Sequence, residues 1–203
     1  MNANITNNST AIMNQLSHPP LHVESNSSSL MNQFRKVCAD VKSSSPTLYW
    51  IVIIHLIVAV ICIPALLIDE RTLLGVSVWL KPLKFLISDA IYIFTVGFLL
   101  VLYPYSKKKK SRLGRFISVS ILIETAIIVV QGARGVKSHY NESSALDGIL
   151  FGIMGIIIAI NVILMLVFLV DSIRLKMGVS REVQVAIVMG WLIMLLGLSL
   201  IHI

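Results

Sequence analysis

The run Thr47-Leu-Tyr-Trp-Ile-Val-Ile-Ile-His-Leu-Ile-Val-Ala-Val-Ile-Cys-Ile-Pro-Ala-Leu-Leu-Ile68 decides the fold class. No Asp, Glu, Lys or Arg occurs anywhere from residue 43 to residue 68. A helix needs about 20 apolar residues to cross a hydrocarbon core about 30 Å thick, and this run supplies them. A surface helix of a soluble protein keeps a charged face for water; this one has no charge to place there.

The same pattern recurs outward along the chain. No charged residue lies between Asp147 and Asp171, and none follows Glu182. Over 203 residues the chain is 56% hydrophobic and 13% charged, against about 25% charged in soluble domains. The reading is therefore an all-α polytopic transmembrane helical bundle of about five helices. The spans fall at about 47–68, 83–105, 116–133, 148–170 and 183–203, joined to a disordered N-terminal tail over 1–46. That tail is rich in Asn, Ser and Thr, with too little apolar surface to offset the entropy of ordering. A short surface helix over 34–41 is the one element expected in it. Trp79 and Lys81 suit a headgroup layer, so residues 73–82 are expected at the membrane interface.

The net charge of +7 sits in short loops between apolar runs, above all in Lys107, Lys108, Lys109, Lys110, Arg112 and Arg115. Basic loops flanking spans indicate topology and contact with anionic lipid headgroups, not nucleic acid. With the N-terminus cytoplasmic, 12 Lys and Arg lie on the inner side and 5 on the outer. The expected orientation is thus N-terminus cytoplasmic and C-terminus outside. Glycosylation-type triplets at Asn4, Asn7, Asn8 and Asn26 point the other way, but an Asn-rich tail produces them by chance. Another triplet, at Asn141, lies on the expected outer side. The chain reaches residue 203 inside an apolar run, which leaves a natural ending and a shortened form of a longer protein both open.

An ionisable side chain at mid-bilayer costs about 2.5–3.5 kcal/mol, so those present are expected to shelter between helices. The candidates are His55, Lys84, Asp89, Glu124 and His202, with the amides Gln131 and Asn161. In the second span Lys81, Lys84, Ser88, Tyr92 and Thr95 share one helical face, with Asp89 about 80° to its side. The stripe reads either as the lining of a ligand path or as interfacial lysines followed by ordinary interhelical hydrogen bonds. Glu124, halfway along the third span, must be paired or protonated; Lys84 and His55 are its expected partners. The candidate polar interior is therefore Lys84, Ser88, Asp89, Tyr92, Glu124 and Gln131.

At the outer boundary, Arg134, Ser138, His139 and Asn141 form a candidate anion site, with Arg134 as a bidentate donor and His139 titrating near neutrality. The alternative is a polar loop whose arginine reaches the headgroups. Gly148, Gly152, Gly155 and Ala159 share a small-residue face suited to close helix packing, within the chain or with a second copy. Ala186, Gly190 and Gly197 form a similar face and a natural mate. Metal ligation is not expected, because the histidines fall on separate elements and the two cysteines, Cys38 and Cys62, form no framework. No nucleotide-binding or hydrolase motif occurs, so no cofactor is expected.

Two stretches, Trp79-Leu-Lys-Pro-Leu-Lys-Phe-Leu-Ile-Ser88 and the series Glu124, Gln131, Arg134, Gly135, Ser138, His139, Asn141, resemble an uncharacterised bacterial multi-pass integral membrane protein family of unknown function. The resemblance spans about residues 47–203. It implies a bacterial inner-membrane setting and longer relatives, and brings no substrate, cofactor or catalytic residue with it. Three classes of function follow. The favoured one is small-solute or proton/ion transport along a polar intramembrane path. A membrane-embedded enzyme acting on lipid or a lipid-linked substrate, with Glu124 and His139 as acid and base, and a non-catalytic sensor or assembly subunit are the alternatives.

Overall fold

Ser45 separates the first two helices, α1 (Asn26–Ser44) and α2 (Pro46–Ile68). Pro46 opens α2 at a position where a missing N–H removes a donor that the helix would leave unpaired anyway. The computed structural model describes residues 26–141 and 143–201. Helix α1 is longer than the short surface helix expected over 34–41, and so takes up part of the expected tail; residues 1–25 of that tail lie outside the described residues. Two units divide at Lys36, and Val37–Ile203 form the transmembrane body.

Where the sequence suggested only an interfacial segment, a small hairpin follows α2. Its strands β1 (Thr72–Leu73) and β2 (Val76–Ser77) pair antiparallel, with Thr72 opposite Ser77. The connecting Leu74 and Gly75 both have positive φ, 55° and 80°, as a two-residue turn matched to strand twist requires. Asp69 ties this cap together. It accepts from the Arg71 guanidinium and, at 2.8 Å, from Trp79 Nε1, while Arg71 Nη1 donates to the Ala133 carbonyl. These hydrogen bonds, the Arg71 side chain first, hold the Asp69 carboxyl well below the usual carboxylate range.

Helix α3 (Leu80–Leu102) ends where Tyr103 turns extended. Helix α4 (Lys107–Arg134) begins nine residues before the expected span, so the basic run is helical and not a loop. Lys and Arg are good helix formers, and the Ser106 side chain accepts from Lys109 N at the start. Gly135, at φ 71°, closes α4; its left-handed conformation lets Val136 N return to the Gln131 carbonyl. Helices α5 (Ala145–Arg174) and α6 (Arg181–Ile201) complete the body.

Among the described residues four helices, α2 to α5, are long and apolar enough to cross a membrane. The all-α membrane bundle is thus present, with four such helices where five spans were expected. The fifth expected span, 183–203, coincides with α6, whose end runs into residues outside the described set. Helices α2, α3 and α4 pack against one another, α5 lies on α4, and α6 lies on α5.

Large apolar side chains cover the outside of the bundle as well as filling its core, and a set of polar side chains is buried among them. Val60, Leu67 and Ile156 are 65%, 79% and 64% exposed, whereas His55, Ser118, Gln131 and Ser172 are fully buried. With hydrocarbon outside, polar groups find their partners only between helices.

The small-residue face behaves differently from its expected intrachain role. A Cβ added at Gly148, Gly152 or Gly155 meets nothing within 4 Å, and Ala159 is exposed, as are Ala186 and Gly190 on α6. The α5–α6 contact is made instead by large side chains, Phe168 stacking on Trp191 with ring centroids 5.2 Å apart. Close backbone approach occurs elsewhere, at Gly97 beneath Leu48 and Gly132 beneath Pro82.

Candidate functional site

A cavity of about 370 Å³ lies between α3, α4, α5 and α6. Asp89 and Tyr92 enter it from α3, Glu124 from α4 and Asn161 from α5, with His139 and Tyr140 at one end. Glu124 is only 8% exposed, yet no described residue hydrogen-bonds or ion-pairs with it. Neither expected partner reaches it: Lys84 is exposed, and His55 turns to other groups. Asp89 lies within electrostatic reach of Glu124. Two carboxylates sharing an apolar-lined recess are accommodated when a proton or a cation lies with them.

Asp89 is also the end of a hydrogen-bonded chain through α4 to α2. Thr125 Oγ1 lies 2.5 Å from Asp89 Oδ2 and 3.3 Å from His55 Nε2, and His55 Nδ1 lies 2.8 Å from the Ile51 carbonyl. A carbonyl only accepts, so Nδ1 carries a proton. The Thr125 hydroxyl also lies 2.9 Å from the Ile121 carbonyl, and when its proton points away from that carbonyl two arrangements run the chain end to end. In one, a neutral His55 accepts from Thr125 and a protonated Asp89 donates to the same hydroxyl. In the other, the imidazolium donates to Thr125, which donates to the Asp89 carboxylate. The arrangements hold the same number of protons and differ by one concerted shift through Thr125.

The remaining candidates separate from the cavity. Ser88 is exposed, and its hydroxyl donates to its own helix at Phe85 O, 3.1 Å away. A serine satisfied this way needs no partner helix, and an interfacial lysine such as Lys84 can extend toward headgroups. The polar stripe of α3 is therefore not its packing face; Leu86, Ala90, Ile93 and Leu100 are. Ser88, Tyr92 and Thr95 line a groove facing Trp191 and Met194 of α6, and this groove shares Tyr92 and Met194 with the cavity.

Gln131 is buried, but in a clasp at the boundary between α4 and α5. Its Nε2 donates to Asp147 Oδ1 at 2.9 Å, and its Oε1 accepts from Arg134. Arg134 Nη1 also lies 2.6 Å from Asp147 Oδ1, so the arginine expected to hold an anion already faces a carboxylate of its own chain. Asn141 folds the loop, accepting from Ser143 N and donating to the Lys137 carbonyl. His139 Nδ1 lies 3.1 Å from both Lys81 Nζ and Ser138 Oγ. An ammonium only donates, which makes Nδ1 the acceptor and leaves the ring proton on Nε2. Of the four boundary residues, His139 alone lines both this cavity and a second recess of about 660 Å³ under the hairpin.

Thr125 and Asp147 were not among the candidates read from the sequence. The spacing Ser144-Ala-Leu-Asp147 carries the signal for the second, since an acidic residue three positions after a capping serine marks a helix start. Ser144 Oγ does accept from Asp147 N, at 3.2 Å. Thr125 has no local signal, because its role comes from two other helices.

Compared with known proteins, the chain matches no family model, no curated protein and no solved structure.

Proposed function

We propose that this protein transports a small solute, an ion or protons across a membrane, with the Asp89–Glu124 cavity as the binding point. The observation that carries this reading is Glu124: a carboxylate 8% exposed, with no hydrogen-bond or ion-pair partner among the described residues, facing a cavity within the bundle. A structural carboxylate at that depth is expected to be paired, and this one is left for something that comes and goes. The His55–Thr125–Asp89 chain supports the reading, since it supplies a route by which charge in the cavity is rebalanced.

The setting we propose is a bacterial inner membrane, with a cytoplasmic N-terminus and an outer C-terminus; the asymmetry of Lys and Arg supports the orientation. The lipid bilayer is the partner this surface requires. The open glycine face on α5 supports a second copy of the chain as another partner.

Flux in proteoliposomes tests the proposal. The wild type is expected to dissipate an imposed proton or solute gradient, and Glu124→Gln to lose that flux while remaining folded. Equal flux in both, or none in the wild type for protons and solutes alike, removes it. One observation favours a lipid-directed enzyme as the second reading: Glu124 and His139 line the same cavity. Lipid turnover that depends on His139, without flux, would select it.

A further inference from the structure

We infer that the ligand of the Asp89–Glu124 cavity is an organic ammonium ion with an apolar body, drawn sideways from the membrane and not from the hairpin side. The inference rests on the cavity reading above and adds the chemical class of what fills it.

The lining decides against calcium or magnesium. Calcium takes six to eight oxygen ligands, and magnesium keeps an octahedral shell of oxygens. Here the oxygens are few and partly engaged. Asp89 Oδ2 is held by Thr125, and the Asn161 side chain is held to Ser120, with Asn161 Nδ2 donating to Ser120 Oγ at 3.0 Å. Among the described residues no group of three or more His, Cys, Asp or Glu is placed to hold a metal ion.

What the cavity does offer is one carboxylate without a hydrogen-bond or ion-pair partner among the described residues, Glu124, in a lining that includes Phe85, Tyr92, Tyr140, Met165 and Met194. A cavity lined by a carboxylate, aromatic rings and thioethers suits an alkylated ammonium, whose charge is spread over carbon and whose binding gains from contact with aromatic rings. The volume, about 370 Å³, falls within the range of small-molecule sites, about 300–1,000 Å³. Charge also balances. One ammonium answers Glu124, while Asp89 takes the second positive charge from His55 through Thr125, or is protonated in the other arrangement of that chain.

The route follows from charge and packing. At the hairpin end the cavity and the outer recess share Phe85, His139 and Tyr140, and Lys81 Nζ sits 3.1 Å from His139, so a cation entering there meets a cation. On the lipid side, a groove between α3 and α6 shares Tyr92 and Met194 with the cavity, and its lining of Ile91, Val96 and Leu99 suits an apolar body; the inferred route passes between these two side chains. The hydroxyls of Ser88 and Thr95 line the same groove.

Binding of benzyltrimethylammonium to the full chain in detergent micelles, followed by isothermal titration at neutral pH, tests the inference. Saturable binding is expected, with little competition from sodium or calcium chloride at equal ionic strength. Glu124→Gln should weaken it about tenfold or more, Tyr92→Leu by a smaller factor, and Glu124→Asp, which keeps the charge, should stay within about tenfold of the wild type. Melting curves establish that each variant is folded, and the Glu124→Asp variant keeps the test open if Glu124→Gln is not. Absence of saturable binding in the wild type overturns the inference, as does binding of equal strength by a neutral isostere of the probe. Glu124-dependent proton flux without ammonium binding would sink this inference and leave transport standing. Ammonium binding without any flux would do the reverse.

Discussion

Arg134 Nη1 lies 2.6 Å from Asp147 Oδ1 and joins the last turn of α4 to the first turn of α5. The carboxylate also receives Gln131 Nε2 and the Ser144 hydroxyl, so four groups converge on one short loop. Removing one partner of such a cluster leaves the others facing an empty position. Asp147→Ala is therefore expected to lower the melting temperature in detergent clearly, and Ser143→Ala, whose contact to Asp147 is 3.3 Å, only slightly. Equal melting of the two variants would show that the clasp contributes nothing to stability.

Among the described residues, Thr125 is the side chain that hydrogen-bonds both His55 and Asp89. Thr125→Val keeps the shape and deletes the hydroxyl, leaving a buried imidazole nitrogen and a carboxylate oxygen without that partner. Each such loss costs about 1–3 kcal/mol. The variant should melt lower than the wild type, and Thr125→Ser, which restores the hydroxyl, should recover most of the loss. Any transport activity is expected to fall with Thr125→Val and return with Thr125→Ser. Flux unaffected by Thr125→Val would exclude a proton shift through this residue.

The bundle was legible in the sequence because a bilayer demands long uncharged runs, and such runs survive reading without any partner. Helix bounds went astray where charge was taken for loop. Lys107–Arg115 is the example, a basic stretch that a capping serine and good helix formers make helical. The site was half legible. Asp89, Tyr92 and Glu124 were visible because polar groups are costly at that depth, and they do share a cavity. Lys84 and Ser88 were grouped with them by helical face, but one face of a helix does not say which neighbour it meets. Ser88 satisfies itself, and the packing of α3 is set by small and branched apolar residues. The capping serine marks Asp147 as part of a helix start, but the contacts of Thr125 to His55 and of Asp147 to Gln131, across 70 and 16 residues of chain, are encoded by no local pattern.

Glycines of equal appearance are expected to respond differently to alanine. At Gly132 an added Cβ would lie 2.6 Å from Pro82 Cγ and 3.0 Å from the Val78 carbonyl, whereas at Gly152 it meets nothing. Overpacking costs about 1–3 kcal/mol, while glycine to alanine in an open helix stabilises by up to about 1 kcal/mol. Gly132→Ala should thus lower the melting temperature, and Gly152→Ala leave it unchanged or raise it. Loss of stability in Gly152→Ala would place a second chain against that face, and cross-linking would then find a dimer.

The hairpin cap should come apart in acid. Asp69 titrates below its usual range when folded, held there first by Arg71 and then by Trp79, so its contribution is present above the unfolded carboxylate value, about 3.9, and is lost as pH falls toward the depressed one. Trp79 Nε1, 2.8 Å from Asp69 Oδ2, reports the event. Tryptophan emission is expected to change on acidification in the wild type, and this change should vanish in Asp69→Asn, whose side chain does not ionise. A Trp79→Phe variant separates this signal from that of Trp50 and Trp191. An acid transition that persists unaltered in Asp69→Asn would assign it to another group.

Tyr103 and Trp191 carry the last prediction, because they tie α6 to the end of α3 and to α5. Trp191 Nε1 donates to Tyr103 Oη at 3.0 Å, and that hydroxyl lies 2.8 Å from the Phe168 carbonyl and in short contact with Ser172. Both rings are 1% exposed. Tyr103→Phe removes one oxygen and leaves the indole N–H buried without an acceptor, a loss of about 1–3 kcal/mol. Trp191→Phe removes the donor itself and strands nothing, but it gives up packing on Phe168. Because Trp191 also lines the groove between α3 and α6, loosening it should widen the lateral way into the cavity. Tyr103→Phe is therefore expected to melt lower, and to bind and release benzyltrimethylammonium faster in stopped-flow fluorescence, with affinity changed less than either rate. Unchanged rates in a destabilised Tyr103→Phe would mean that the ligand reaches Glu124 by another path.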